Sequence, residues 1–178
     1  RLSVAAGCHA LWISDDLGDS CRGFFKLDHF REFYLPYLVE LTDYVDHLGV
    51  PVLLHCCGRF TDYLPDLAQT KIASLHPLQR TAGMDLRWVK EHYGQRFCII
   101  GNIDSSRTLP YGTPDDVTAE VREAIRIAAP TGGSSHSSSG LSLSACSISC
   151  ASSSDDSCSS LIDCCSCGVS VMCWPSLS

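Results

Sequence analysis

His55 and Cys57 form the most specific chemical pair in the sequence. They lie one residue apart at the end of the apolar run 51–57, and residues i and i+2 of a strand point to the same side. Zn²⁺ binds imidazole nitrogen and thiolate, and catalytic zinc sites keep one position open. The pair predicts two ligands of a zinc site. The alternative is a buried thiol beside a hydrogen-bonded histidine.

Three carboxylates follow other apolar runs. Asp15 and Asp16 come after the run 8–14, and Asp104 comes after the run 97–101. Because successive strand residues alternate, one of Asp15 and Asp16 should point toward a site, where it could bind substrate or transfer a proton. The alternative for each is a helix-capping or solvated acid.

Two amides occupy equivalent places. Gln79 follows the run 72–76, and Asn102 follows 97–101. Both are candidates for binding substrate through hydrogen bonds. The alternatives are a satisfied loop residue for Gln79 and turn chemistry for Asn102.

Strand–helix units position these residues. Four apolar runs, at 8–14, 51–57, 72–76 and 97–101, alternate with helical patterns at 27–48, 60–68, 84–93 and from Thr113 onward. Pro36 should kink the first helix. Continuous apolar strands between helices are typical of a parallel sheet covered by helices.

The fold class is therefore α/β. The runs lack the Gly-rich phosphate fingerprint of an open nucleotide-binding sheet. Polar residues cluster after every run, as they do at the mouth of a (β/α)8 barrel, where active sites are built. A full barrel needs eight units and roughly 250 residues. The four readable units predict a partial TIM barrel.

Composition divides the chain at Gly133. Residues 1–133 hold all 13 Lys and Arg and 17 of the 20 acidic residues, whereas residues 134–178 hold 19 Ser and 7 Cys. Residues 1–133 are expected to form the domain. The tail is expected to be disordered, or to be a non-native sequence from a wrong reading frame; a Cys-rich metal-binding segment is the alternative.

The charge pattern bears on partners and location. The body carries 13 − 17 = −4 charges without a basic stripe, which argues against nucleic acid. No run is long enough to span a membrane, and no signal peptide is apparent. A cytoplasmic protein with a small-molecule substrate is expected.

The order of motifs in 7–133 resembles the uroporphyrinogen decarboxylase superfamily, and within it the branch that includes corrinoid-linked methyltransferases. The resemblance covers the C-terminal half of the family's barrel. It rests on these stretches in order: Asp15–Gly18, Phe30–Phe33 with Pro36, Gly49–Val52, His55–Gly58, Pro77–Gln79, Met84-Asp85, Lys90 with Tyr93-Gly94, Gly101–Asp104, Leu109, Gly112–Pro114 and Val117.

The resemblance implies a TIM barrel and one of two activities. The methyltransferase branch holds zinc with a His-x-Cys pair and a later Cys, and the zinc activates a thiol that accepts a methyl group from a corrinoid. His55 and Cys57 match that pair. His136 lies where the family's last strand should deliver a site residue, and it is the candidate third ligand. A corrinoid protein is the implied partner.

Two other interpretations remain open. One is decarboxylation of a tetrapyrrole, as in heme biosynthesis, for which Arg59, Arg80 and Arg107 could supply part of a cationic pocket. The other is an inactive barrel fragment, whose exposed sheet edges would favour self-association.

Overall fold

The computed structural model describes residues 2–129. Four parallel strands form one sheet in the order β1-β2-β3-β4. Their bounds are Leu11–Ser14 (β1), Val52–His55 (β2), Ile72–His76 (β3) and Cys98–Ile99 (β4). Each strand pairs with the next one along the chain, as expected for repeated right-handed βα units. The predicted partial α/β barrel of four units is confirmed.

Seven α-helices fill the connections in the described part of the chain. They are α1 (Leu2–Ala5), α2 (Leu27–His29), α3 (Leu35–His47), α4 (Leu64–Leu67), α5 (Leu86–Tyr93), α6 (Thr108–Tyr111) and α7 (Pro114–Ala128). A π-helical turn at Phe30–Tyr34 separates α2 from α3, and 3₁₀ turns occupy Thr61–Tyr63 and Arg80–Ala82.

The first predicted helix is interrupted, as the proline suggested. Pro36 lies in the first turn of α3, where its missing N–H costs nothing, and the π turn precedes it. Helix α6 was not predicted, because a four-residue helix carries too short an apolar pattern to be recognised.

The two faces of the sheet differ in character. Leu11 and Ile13 of β1 are in register with Val52 and Leu54 of β2, and this face packs against the helices in the main core. The opposite face carries Trp12, Ser14, Leu53, His55, Ser74 and His76. The chemically distinctive side chains therefore lie on the face that a barrel turns inward.

The loop after β1 is held against the end of β2. The backbone N–H of Arg59 donates to Asp19 O at 2.7 Å, and the N–H of Leu17 donates to Cys56 Sγ at 3.3 Å. Gly58 has φ +76°, and a Cβ there would lie 2.1 Å from Gly18 O. This close approach brings the carboxylates that follow β1 to the residues that follow β2.

Part of the sequence interpretation concerns residues that are not described. The tail 134–178, its expected disorder and His136 lie outside residues 2–129. Within those residues, no helix is both long and apolar enough to cross a membrane.

Candidate metal site at the carboxyl ends of the first two strands

Three potential ligand atoms converge at the carboxyl ends of β1 and β2. They are a carboxylate oxygen of Asp16, a ring nitrogen of His55 and the Sγ of Cys57, and all lie within 4.8 Å of one another. His55 Nε2 is 3.4 Å from Cys57 Sγ and 3.9 Å from Asp16 Oδ1. The His55 and Cys57 side chains are largely buried, whereas the Asp16 side chain is half exposed.

These separations fit zinc. Bonds of about 2.0 to 2.3 Å in tetrahedral geometry place neighbouring ligand atoms about 3.5 Å apart. The His55–Cys57 separation meets this value, and the His55–Asp16 separation needs only a small closure. One nitrogen, one sulfur and one oxygen ligand leave a fourth position open, as catalytic zinc sites require.

Strand alternation explains why only one of two adjacent cysteines joins the site. His55 ends β2, and Cys57 two residues later lies on the same side. Cys56 lies on the other side, fully buried, and its thiol donates to Cys57 O. Burial raises the pKa of Cys56 to about 12, so it stays a neutral thiol.

The two carboxylates after β1 separate as alternation predicts. Asp16 Oδ1 accepts a hydrogen bond from the backbone N–H of Cys57 at 2.8 Å. Asp15 instead accepts one from the Tyr34 hydroxyl at 2.9 Å, and burial, with this bond, raises the pKa of Tyr34. The structure thus places Asp16, and not Asp15, beside His55 and Cys57.

His76 completes the surroundings of His55. The two residues are register partners on β2 and β3, and their Nδ1 atoms are 2.8 Å apart. Burial, followed by the charge of His55, lowers the pKa of His76 to about 4. Burial also lowers the pKa of His55, although Asp16 opposes this. Both rings are therefore neutral near pH 7, the form in which histidine binds metals.

The remaining predicted site residues line a neighbouring groove. Gln79, Asn102 and Asp104 lie there with His76 and Arg80, at the carboxyl ends of β3 and β4. The sequence predicted that these residues follow neighbouring strands, and the structure places them in one groove.

Gln79 and Asn102 bind the backbone. Gln79 Oε1 accepts from the N–H of Gly58 at 2.7 Å, which ties the ends of β2 and β3. Asn102 is buried at φ +67°, and its amide donates to Leu78 O at 2.6 Å and Met84 O at 3.2 Å. Their predicted role in substrate binding stays a prediction.

Asp104 also forms hydrogen bonds with backbone groups. Its Oδ1 accepts from the backbone N–H groups of Ser106 and Arg107 at 2.8 and 3.0 Å. Such bonds are typical of an Asx turn. These contacts stabilise the local turn, and catalysis by Asp104 stays a prediction.

Sequence reasoning did not assign His76 to the site, and it considered Asp16 as a carboxylate for substrate or protons, not for metal. His76 directly precedes Pro77, a position that favours a structural interpretation because the residue before proline is held extended. The signal in the sequence is that both His55 and His76 end apolar strands, whereas the contact itself depends on strand register. Asp16 could be recognised as a ligand candidate only once the loop after β1 was seen folded onto β2.

Comparison with known proteins assigns the chain to a family. The family model "Uroporphyrinogen decarboxylase (URO-D)" matches residues 1–144, which extends past Gly133. The chain is 27% identical over 125 residues to the methylated-thiol–coenzyme M methyltransferase of Methanosarcina mazei, covering 70% of this chain and 32% of that protein.

Other relatives include both methyltransferases and uroporphyrinogen decarboxylases. A methylcobamide:CoM methyltransferase of Methanosarcina mazei is 28% identical over 98 residues, covering 55% of this chain and 28% of the relative. The uroporphyrinogen decarboxylase of Chlorobium luteolum is 30% identical over 125 residues, covering 69% of this chain and 33% of the relative. This chain spans about a third of the length of the curated relatives that it matches.

A solved structure agrees with the sequence relatives. A methyltransferase from Methanosarcina mazei superposes with a TM-score of 0.57 at 28% identity, covering 69% of this chain and 34% of the other. The parallel βα order, the polar strand ends and the match over residues 1–144 lead to one conclusion. This chain belongs to the uroporphyrinogen decarboxylase (URO-D) family.

Proposed function

We propose that this chain carries the metal-binding part of a zinc-dependent methyltransferase site, which transfers a methyl group between a corrinoid or other donor and a thiol. The observation that supports this most is the convergence of Asp16, His55 and Cys57, with one nitrogen, one sulfur and one oxygen atom within 4.8 Å. His136, the candidate third ligand of the sequence analysis, lies outside the described residues and stays a proposal as an alternative to Asp16.

The chemistry follows from the donor set. Bound zinc would lower the pKa of a coordinated substrate thiol, which would make a thiolate nucleophile available near neutral pH. His55 and Cys57 would hold the metal from the buried side, and Asp16 would hold it from the half-exposed side. The Cys57 N–H bond to Asp16 keeps that carboxylate in place.

The names of the relatives support the substrate class. The methyltransferases of Methanosarcina mazei are named for methylated thiols, coenzyme M and methylcobamide. A thiol acceptor and a corrinoid donor, delivered by a corrinoid protein, are therefore proposed for this chain. A cytoplasmic location and the absence of nucleic-acid binding remain parts of the proposal.

Metal content is the direct test. The full chain, dialysed and analysed by inductively coupled plasma mass spectrometry, should retain zinc, and His55→Ala and Cys57→Ala should lose it. His9→Ala and Cys21→Ala are matched controls, since both residues are exposed and lie outside the three-atom cluster. Equal zinc in all five proteins would place the metal elsewhere and remove the basis of the proposal.

Decarboxylation of a tetrapyrrole is the second candidate, favoured by the 30% identity to a uroporphyrinogen decarboxylase. A substrate with several carboxylates needs a cationic pocket. The wide groove near Arg80 and Arg107 instead carries four acids: Asp104, Asp116, Glu120 and Glu123. Methyl transfer is therefore preferred. Release of CO₂ from uroporphyrinogen by the metal-free chain would reverse that preference, and a chain without either activity would be an inactive fragment.

A further inference from the structure

The contact between His55 and His76 constrains where protons lie. The two Nδ1 atoms face each other at 2.8 Å, and the rings are 4.9 Å apart between centroids at 32°. In a hydrogen bond between two imidazole nitrogens one ring donates and the other accepts. The bond therefore couples the tautomer of one histidine to that of the other.

The atoms that face Nε2, on the opposite side of the His55 ring, indicate which histidine donates the hydrogen bond. Nε2 faces Cys57 Sγ at 3.4 Å and Asp16 Oδ1 at 3.9 Å. A metal at that position needs the Nε2 lone pair, so the proton of the neutral ring must lie on Nδ1. His55 is then the donor to His76, and His76 Nδ1 is the acceptor.

We propose that His76 is a positioning residue that holds His55 in its Nδ1–H tautomer, with the Nε2 lone pair directed at Asp16 and Cys57. The inference deepens the proposed function and rests on it for the metal. The direction of the hydrogen bond is inferred from the proposed metal, whereas the contact between the two rings is observed without it.

Packing makes His76 suited to this task. His76 is 3% exposed, and the Trp12 ring contacts both histidines, with centroids 4.9 Å from His76 and 5.8 Å from His55. The register pairing of β2 with β3 fixes the backbones of the two histidines. The strand pairing and the indole contacts together hold the two Nδ1 atoms face to face, as a supporting partner of a metal ligand requires.

The first experiment reads the tautomer in the full-length wild-type chain, without metal. Long-range ¹H–¹⁵N correlation spectra of ¹⁵N-histidine protein, above the histidine titrations, distinguish Nδ1–H from Nε2–H rings. We expect His55 as Nδ1–H and His76 as Nε2–H, with His55→Gln used for assignment. A wild-type spectrum with His55 as Nε2–H overturns the inference, and this measurement needs no position-76 variant to fold.

The second experiment uses zinc itself as the probe, by competition with a chromophoric chelator. His76→Phe removes the acceptor but keeps an aromatic ring, and it should weaken zinc binding by about 10- to 100-fold, as loss of a ligand's supporting partner does. His76→Asn places an amide oxygen near the Nδ1 position, and it should restore affinity to within a few-fold of wild type. His92→Phe, on exposed α5, is the matched control.

These outcomes distinguish the positioning role of His76 from the proposed function. Unchanged affinity and an unchanged His55 tautomer in His76→Phe would overturn the positioning role. Failure of the wild-type chain to bind zinc through His55 would remove the proposed function, while the tautomer result would still decide the state of His55. Equal losses in His76→Phe and His76→Asn, with both folded, would also count against an acceptor at this position.

Discussion

Glu120, on the last described helix, accepts a hydrogen bond from the backbone N–H of Asp104 at 2.6 Å. The same carboxylate lies 3.4 Å from Arg80, and its side chain is only 9% exposed. One acidic residue of α7 therefore fastens the loop after β4 and, through Arg80, the loop after β3. The groove beside the candidate metal site depends on this bond.

Replacing Glu120 with Ala should destabilise the fold by about 1–3 kcal/mol, because the partly buried N–H of Asp104 would lose its acceptor. Urea denaturation checks this. Glu120→Gln keeps an oxygen acceptor and should cost less, whereas Glu123→Gln, a more exposed residue paired with two arginines, should change little. Equal effects at positions 120 and 123 would show that the bond to Asp104 is unimportant.

Asp16→Asn should weaken zinc binding without unfolding the chain. The amide oxygen can still accept from the Cys57 N–H, but the negative charge that favours the metal is gone. Affinity should fall by more than about tenfold, on the scale of known changes around zinc ligands. Asp15→Asn is the matched control, since Asp15 bonds to Tyr34. Loss of zinc in the Asp15 variant alone would move the ligand assignment.

The metal-free chain should lose stability as pH falls from about 6.5 to about 4. Burial lowers the pKa of His76 to about 4, so in this window the unfolded chain binds the proton and the folded chain does not. The full shift corresponds to roughly 3 kcal/mol. Unfolding in urea at several pH values measures the slope. His76→Asn should flatten it, and an unchanged slope would assign the loss to other groups.

The start of α7 should depend on Thr113. Its hydroxyl accepts from the N–H of Asp116, and the Asp116 carboxylate accepts in return from the N–H and hydroxyl of Thr113. Thr113→Ala should cost about 1 kcal/mol, and Thr113→Ser should recover most of it. Thr118→Ala, on the exposed side of α7, controls for helix propensity. A cost at 118 as large as that at 113 would exclude capping as the cause.

We propose that the chain associates with itself. Within residues 2–129, β1 and β4 are the edges of the sheet, and the helical segment 30–47 exposes a stripe of Phe33, Tyr37, Leu41 and Tyr44. Sedimentation velocity should show dimers or larger species at micromolar concentration. The double change Tyr37→Arg with Leu41→Arg should reduce them, and Glu91→Arg should not. A monomer at all concentrations would end this proposal.

The sequence predicted the elements better than their lengths. The run 97–101 predicted a five-residue strand, but the regular strand is only Cys98–Ile99, and Gly101 and Asn102 soon after it adopt positive φ. By contrast, the helix predicted from Thr113 onward does begin there, with Thr113 as its N-cap, because a cap is a local pattern of neighbouring residues. Local chemistry is readable from sequence, whereas the end of a strand is set by its neighbours.

The candidate site was predictable only as far as strand periodicity reaches. The pairing of His55 with Cys57 follows from their spacing. The addition of Asp16 does not, because it depends on a loop that folds over Gly58 and on a bond across 41 residues. The contact with His76 likewise depends on strand register, which the sequence does not specify.

The three donors come from the ends of just two adjacent strands, β1 and β2. Within residues 2–129, their arrangement rests mainly on one parallel pairing and one loop. In evolutionary terms, the proposed metal site would be inherited with a single βαβ unit, separately from the residues that line the neighbouring groove.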